Sequence, residues 1–308
     1  MRIYIIEGYL IPVYHSLNIE IIETIKIKRR GDKMNQEYLN ILEKLRPIDN
    51  EFMQVLFRSE KCVELLVKTI FGDDVSVVKF KTEDKRKNLG GRSIWMDIVA
   101  TLSDGKIVNI EMERSIENAT PLRARYHASI LDSSKSYPKQ KWHKLSEMYV
   151  IFICEKDVFN TKQLVNHVQR TMDNGDLFKD KLHIIYLNAS IQDESPLGLL
   201  MHDLMCEDPD NMHYKVLRKR VSHFKKTKGG RKKMCKELKK LVEEENKKAE
   251  KRGEKRGKLK IIMKILLNKF KNEDLEWVKD CNKKQIEKIE DNIHLDMSYH
   301  QFYQLVHS

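Results

Sequence analysis

The sequence predicts an α/β fold, a mixed sheet flanked by helices, followed by a basic α-helical C-terminal region. Three observations carry this expectation. Helix-period and strand-period stretches alternate through the first two-thirds of the chain, with two strand-like runs joined by a tight turn among them. Glycine and proline are scarce, 12 and 6 in 308 residues, while 41% of residues are apolar and 34% charged, which favours helix-rich structure with one sizeable core and an accessory region. Positive charge is also concentrated. Residues 211–270 hold 23 Lys and Arg against 6 Asp and Glu, so with a whole-chain net charge of +12 the rest of the chain is acidic.

Residues 1–33 stand apart as an N-terminal extension. The apolar stretch from Ile3 to Val13 is broken by Glu7 and Pro12 and is too short to cross a bilayer. It lacks the basic leader and small-residue cleavage site of a signal peptide. The run Arg30-Gly31-Asp32-Lys33-Met34 could be encoded by a purine-rich stretch resembling a bacterial ribosome-binding site, which makes Met34 the expected start. The alternative is a translated amphipathic extension, because Ile19, Ile22, Ile25 and Ile27 have rough helical spacing. From Met34 onward, composition divides the chain into a domain over 34–205 and the basic region over 206–308.

Within 34–205 the pattern predicts helices over 38–46 and 50–70, a strand over 75–82, a hairpin over 93–113 and a helix over 120–136. A strand over 148–154, a helix over 161–173 and a strand over 182–188 follow. Lys85 to Gly91, charged and ending in Gly90-Gly91, reads as a loop ahead of the hairpin.

The hairpin is where chemistry concentrates. Alternation puts Met96, Ile98 and Ala100 on one face of the first run and Val108, Ile110 and Met112 on one face of the second, leaving Asp97, Glu111 and Glu113 on the opposite face. The turn at Ser103-Asp104-Gly105 decides whether the acids meet. A two-residue Asp-Gly turn would set Asp97 opposite Met112. A three-residue loop with Gly105 left-handed pairs Leu102 with Lys106 and Asp97 with Glu111, and only this register keeps both apolar rows on one face. It brings the two carboxylates to roughly 5 Å at Cβ, a spacing a divalent ion can bridge. Acids on the solvent face of a hairpin are the bland alternative.

Taken together, Asp97, Glu111-Met112-Glu113 on the next strand, and Arg123 with Tyr126 and His127 on a following helix resemble the recombination-promoting nuclease and transposase family of the PD-(D/E)XK nuclease superfamily. Upstream, Asp49-Asn50-Glu51-Phe52 and Val55-Leu56-Phe57 are similar to that family's opening helix, Asp-x-x-Phe-Lys-x-x-Phe. Downstream, Tyr149 to Cys154, then Asp157 and Phe159, and later Ile185-Tyr186-Leu187-Asn188, are similar to its central strand and its later Leu-Asn element. The resemblance spans about residues 36 to 260.

It implies a PD-(D/E)XK restriction-endonuclease-like core and Mg²⁺-dependent hydrolysis of DNA phosphodiesters. Asp97 and Glu111 would be the metal ligands with the Met112 carbonyl as a third, and Mg²⁺ or Mn²⁺ is expected over zinc because the donors are hard oxygens. Asp49 matches the acid of the opening helix. Arg123 either contacts a phosphate, orients Glu111 or forms a surface salt bridge. Tyr126 shares a helical face with Ile130 and reads as packing. Where the superfamily usually has Lys and this family commonly Gln, the chain has Glu113. The rival function is therefore a DNA-binding or assembly protein that kept the fold and lost turnover.

The basic region suits contact with a phosphate backbone without reading sequence, or equally a long solvated helix. Gly229-Gly230, Gly253 and Gly257 are expected to interrupt helix there. Ile261, Ile262, Ile265, Leu266 and Phe270, then Leu275, Trp277, Val278, Ile286 and Ile289, predict a small helical bundle for packing or homo-oligomerisation, since no recognition helix has a clear set of base-reading residues. Cys62, Cys154, Cys206, Cys235 and Cys281 are odd in number, widely spaced and free of CxxC pairing, which predicts reduced thiols and a cytoplasmic location.

Overall fold

The computed structural model describes residues 3–6, 9–12, 31–86, 93–271 and 273–308. The residues group into two compact units, Met1–Lys239 and Lys240–Ser308. The first begins with a short hairpin of β1 (Ile3–Ile6) and β2 (Tyr9–Pro12), and then α1 (Gly31–Lys44). The helical spacing of Ile19 to Ile27 lies outside the described residues.

The expected helix over 50–70 is two helices, α2 (Asn50–Leu56) and α3 (Glu60–Phe71). Ser59 takes extended backbone between them, and the resulting break lets Phe52, Phe57 and Leu66 all be buried. A six-stranded mixed sheet follows, in the order β3-β4-β5-β6-β8-β7. Its strands are β3 (Val77–Arg86), β4 (Ile94–Leu102), β5 (Ile107–Glu113), β6 (Met148–Cys154), β7 (Val165–Val168) and β8 (Leu182–Asn188). β4 pairs antiparallel with both β3 and β5, while β5, β6 and β8 are parallel, and β7 closes the edge antiparallel to β8. This is the expected α/β core. Parallel central strands have both faces covered, and every residue of β5 is buried. α4 (Pro121–Lys135) makes the crossover between β5 and β6.

Two expectations fail here for local reasons. The helix over 161–173 is absent, and β7 lies in that stretch instead. Asp157 accepts hydrogen bonds from the backbone of Phe159 and Lys162, and Asn160 and Lys162 have φ of 53° and 58°, so no helical nucleus forms. Val165 and Val168 then add to the open edge of β8, opposite Leu187 and Ile184. Lys85 and Arg86, expected in a loop, extend β3 and pair with Trp95 and Ile94, while residues 87–92 of that loop lie outside the described residues.

After β8 come α5 (Pro196–Met205), α6 (Lys215–Lys226) and the 42-residue α7 (Lys228–Lys269). The composition change at residue 206 falls between α5 and α6. The glycines expected to interrupt α7 do not. The break is at extended Thr227, and Gly229, Gly230, Gly253 and Gly257 are all helical. An isolated helical glycine costs only about 1 kcal/mol, which flanking Lys, Arg and Glu can offset. Gly230 is there for space, since a Cβ on it would meet the His223 carbonyl oxygen at 1.9 Å.

The second unit contains the end of α7, a 3₁₀ turn (Glu276–Asp280), α8 (Lys283–Asn292) and α9 (Tyr299–His307). Asn282 and Ser298 start α8 and α9 with capping boxes closed by Gln285 and Gln301. Ile262, Leu266, Phe270, Val278 and Ile289 form its core, as the apolar spacing predicts, together with Phe302 of α9, whereas Ile261 and Ile265 are exposed.

Candidate active site

The site starts at the β4–β5 turn. The Gly105 N–H donates to the Leu102 carbonyl at 3.0 Å, the Leu102 N–H donates to the Lys106 carbonyl at 2.9 Å, and Gly105 has φ 83°. This is the three-residue loop, and Gly105 supplies the left-handed conformation it needs. The ladder then runs Thr101↔Ile107, Ala100↔Val108, Val99↔Asn109 and Ile98↔Ile110. Asp97 and Glu111 come next, as the apolar rows require.

At that position side chains take over from backbone pairing. The Asp97 N–H donates to Glu111 Oε1 at 3.0 Å, and the Met112 N–H donates to Asp97 Oδ2 at 2.9 Å. Because β5 is central, the acids do not lie on a solvent face: Glu111 is 1% exposed. Both carboxyls are pushed well above the usual carboxylate range. Desolvation is the main cause for each, and the neighbouring Asp97 charge adds to it at Glu111.

α4 supplies the counterweight. Thr120 caps its first turn by accepting from the Arg123 N–H, and Pro121 stands at its start. Arg123 and His127 then sit four residues apart, on one side of the helix. The Arg123 guanidinium spans two acids, 3.1 Å from Glu111 Oε2 and 2.6 Å from Glu113 Oε2. Its Nε donates to His127 Nε2 at 3.3 Å, and the guanidinium lies over the Phe152 ring, 5.4 Å from its centroid. Burial opposes the guanidinium charge, but Glu111 and Glu113 outweigh it and raise its pKa. Glu113 Oε1 also accepts from the Ser115 N–H. Of the readings open for Arg123, the salt bridge and the orientation of Glu111 both have a contact behind them, the ion pairs to Glu111 and Glu113. Tyr126 packs with Ile130 against the apolar cluster of Met96 and Leu131.

Asn109 is the residue that sequence reasoning missed. It is fully buried on β5, and its Nδ2 donates to Glu111 Oε1 at 2.8 Å and to the Ile98 carbonyl at 3.2 Å. His127 Nδ1 lies 3.1 Å from Asn109 Oδ1, so the contacts on both ring nitrogens suit the Nδ1–H tautomer. The signal was present in the sequence: an amide inside the apolar run Ile107-Val108-Asn109-Ile110 must find partners.

Asp49 makes its bonds in another group. It precedes α2, pairs with Arg46 at 2.9 Å and Arg114 at 3.1 Å, and both arginines also bind Glu155. Those arginines hold the Glu155 carboxyl below its ordinary value against the opposing effect of burial. Sequence reasoning did not single out Arg46, Arg114 or Glu155. Buried Cys154 does not qualify as a nucleophile, since burial and the nearby Glu113 push its thiol up to about 12.

The Asp97–Glu111 pair suits a hard divalent cation: its donors are oxygens, and two adjacent carboxylates, Glu111 buried and Asp97 half-buried, call for neutralisation when ionised. Glu113 does not complete a trio with them. Among the described residues these acids form no group of three with all ligand atoms within 4.8 Å, and Arg123 occupies Glu111 and Glu113.

A mixed sheet flanked by helices, with acids where the β4–β5 backbone ladder ends, is a PD-(D/E)XK nuclease-like arrangement. Residues 62–194 match the model of the family described as PD-(D/E)XK nuclease family transposase, the family the sequence resembles, over a shorter stretch than the resemblance suggested. No curated protein and no solved structure matches the chain. Among the described residues no helix is long and apolar enough to cross a membrane.

Proposed function

We propose that the chain is a Mg²⁺-dependent DNA endonuclease of the recombination-promoting nuclease and transposase type. The observation that carries this reading is the Asp97–Glu111 pair, two desolvated carboxylates on facing strands joined by Asp97 N–H···Oε1 of Glu111. Asp97 and Glu111 hold the cation, with the Met112 carbonyl as a third ligand, and their hard oxygens favour Mg²⁺ or Mn²⁺. The ion supplies Lewis-acid polarisation of the phosphodiester and a bound water of lowered pKa.

The chain's own residues do the rest. Asn109 and His127 hold Glu111 in one rotamer. Glu113 positions the attacking water, because the bonds from Arg123 and Ser115 leave lone pairs on its carboxylate. Lys and Arg of residues 211–270 meet the DNA backbone without reading its sequence.

The test is incubation with supercoiled plasmid and Mg²⁺ or Mn²⁺. Asp97→Ala or Glu111→Ala should abolish cutting while DNA retention survives. Glu113→Gln should stay active, and Glu113→Ala should fall by roughly 10²-fold, the lower range for loss of a positioned proton-transfer group. Undiminished cleavage by Asp97→Ala dismisses the site. A second reading, a DNA-binding protein without turnover, is favoured by one observation: Arg123 already pairs with both Glu111 and Glu113. Wild-type protein that is inert with either metal, and gains cutting from Glu113→Gln or Glu113→Lys, would establish that reading.

A further inference from the structure

Outside the nuclease-like centre, His202, Asp203 and His213 bring one ligand atom each to within 4.8 Å of one another. His202 and Asp203 end α5, and His213 lies just before α6. Asp203 is fully buried. Its Oδ1 accepts from the His213 N–H at 2.8 Å and lies 3.1 Å from His202 Nδ1, while its Oδ2 accepts from the Tyr214 N–H at 2.7 Å. The two imidazole rings meet edge to face with centroids 4.7 Å apart.

We infer that these three side chains form a binding site for a transition-metal ion of the zinc class, separate in its ligands from the proposed nuclease centre. A tetrahedral ion about 2 Å from each donor requires donors roughly 3.3 Å apart. His202 Nδ1 and Asp203 Oδ1 already stand near that separation, and rotation of the exposed His213 ring closes the third side. Two imidazoles with one carboxylate select zinc, cobalt, nickel or copper over magnesium. The backbone bonds to Asp203 account for the carboxylate as a brace for the turn into α6. They give no reason for two imidazoles on the same side of it, which a shared ion supplies. The ion clips the end of α5 to the start of α6, the point from which the basic segment runs. The positive end of the α6 dipole opposes a cation here, but the Asp203 carboxylate, which accepts from the Tyr214 N–H at that helix start, offsets it.

The site can be probed at His213 without disturbing the brace, because Asp203 uses the backbone N–H of His213 and not its ring, whereas His202→Ala also removes the 3.1 Å side-chain contact to Asp203 Oδ1. Full-length Asp97→Ala protein, in which the nuclease pair is broken, would be titrated with Zn²⁺ by calorimetry and with Co²⁺ by visible absorption. The same titrations would be made after adding His202→Ala and His213→Ala. One Zn²⁺ per chain is expected, with a d–d spectrum for Co²⁺ and a melting temperature raised by Zn²⁺. All three should be lost, or Zn²⁺ affinity weakened at least tenfold, in the histidine variants, while the melting temperature of His213→Ala in chelator stays that of the parent. Three results would overturn the inference. These are no stoichiometric Zn²⁺ uptake by the parent, unchanged uptake by the histidine variants, or a Co²⁺ spectrum dominated by thiolate charge transfer, which would assign the metal to cysteine.

Discussion

Arg123 is the residue on which the candidate site turns. One guanidinium pairs with Glu111, which is almost fully buried, and also with Glu113, where the superfamily would place a lysine. Removing it leaves two largely desolvated carboxylates without their counter-charge, so Arg123→Ala should destabilise the protein in chelator by ~1–3 kcal/mol, measured by urea denaturation. Arg123→Lys should recover only part of this, because an ammonium cannot span two carboxylates as a planar fork does. A cation bound by Asp97 and Glu111 would supply the missing charge. Mn²⁺ should therefore stabilise Arg123→Ala more than wild type, whereas equal stabilisation of the two would show that the arginine and the ion do not share a role. Asn109 belongs to the same group. Asn109→Leu keeps approximate volume but removes the donor to Glu111 and the acceptor facing His127, and should cost ~1–3 kcal/mol.

Among the elements, the junction of α6 and α7 offers a sharp contrast within one dipeptide. Gly230 faces the His223 carbonyl so closely that a methyl group has no room, while a Cβ at Gly229 meets nothing within 4 Å. Gly230→Ala should cost ~1–3 kcal/mol as overpacking. Gly229→Ala should be neutral or stabilise by up to ~1 kcal/mol through helix propensity. Urea midpoints of the two variants decide this, and equal midpoints would mean that the two helices meet differently. The junction is also held by Lys225, which is 2% exposed and donates to the carbonyls of Glu43 at 2.7 Å and Glu207 at 2.6 Å. That lysine is structural, although it sits in a run of residues whose charge suggests a solvated surface.

Across the chain as a whole, the basic charge is less evenly shared than the stretch 211–270 suggests. Residues 211–239, all in the first compact unit, hold 12 Lys and Arg against a single acid, while residues 240–308 hold 16 against 13. The charge proposed to meet the DNA backbone therefore lies mainly ahead of the second unit. Changing exposed Lys215, Lys219, Lys232 and Lys233 to Gln should lower the slope of log affinity for duplex DNA against log salt by up to about 3–4, at about 0.9 for each phosphate no longer neutralised. Deleting residues 240–308 should change that slope less. A larger change from the deletion than from the four substitutions would move the DNA track to the C-terminal unit. The cut belongs after Lys239 because an earlier one removes Lys225 or the start of α7 from the first unit.

The mixed α/β core and the register of its hairpin were legible in the residues alone. Both follow from local rules, the period of apolar residues and the loop that Ser103-Asp104-Gly105 can make, and these act within a few residues of each other. The acids Asp97 and Glu111 were legible for the same reason, since any other register would turn an apolar row away from the core. Which partners those acids keep was settled only by packing. Arg123 and His127 come from the crossover helix and Asn109 from inside an apolar strand, so their meeting depends on an arrangement that no periodicity encodes. The same holds for the segment after Asp157, where turn bonds and the open edge of β8 outweighed helical spacing and made a strand of Val165–Val168. It holds too for Asp49, which the opening-helix motif offered as a site acid and whose partners Arg46 and Arg114 only the fold brings to it. Hydrophobic spacing sets which face of an element is buried, but the charge that a buried carboxylate meets is set by whichever distant element covers it.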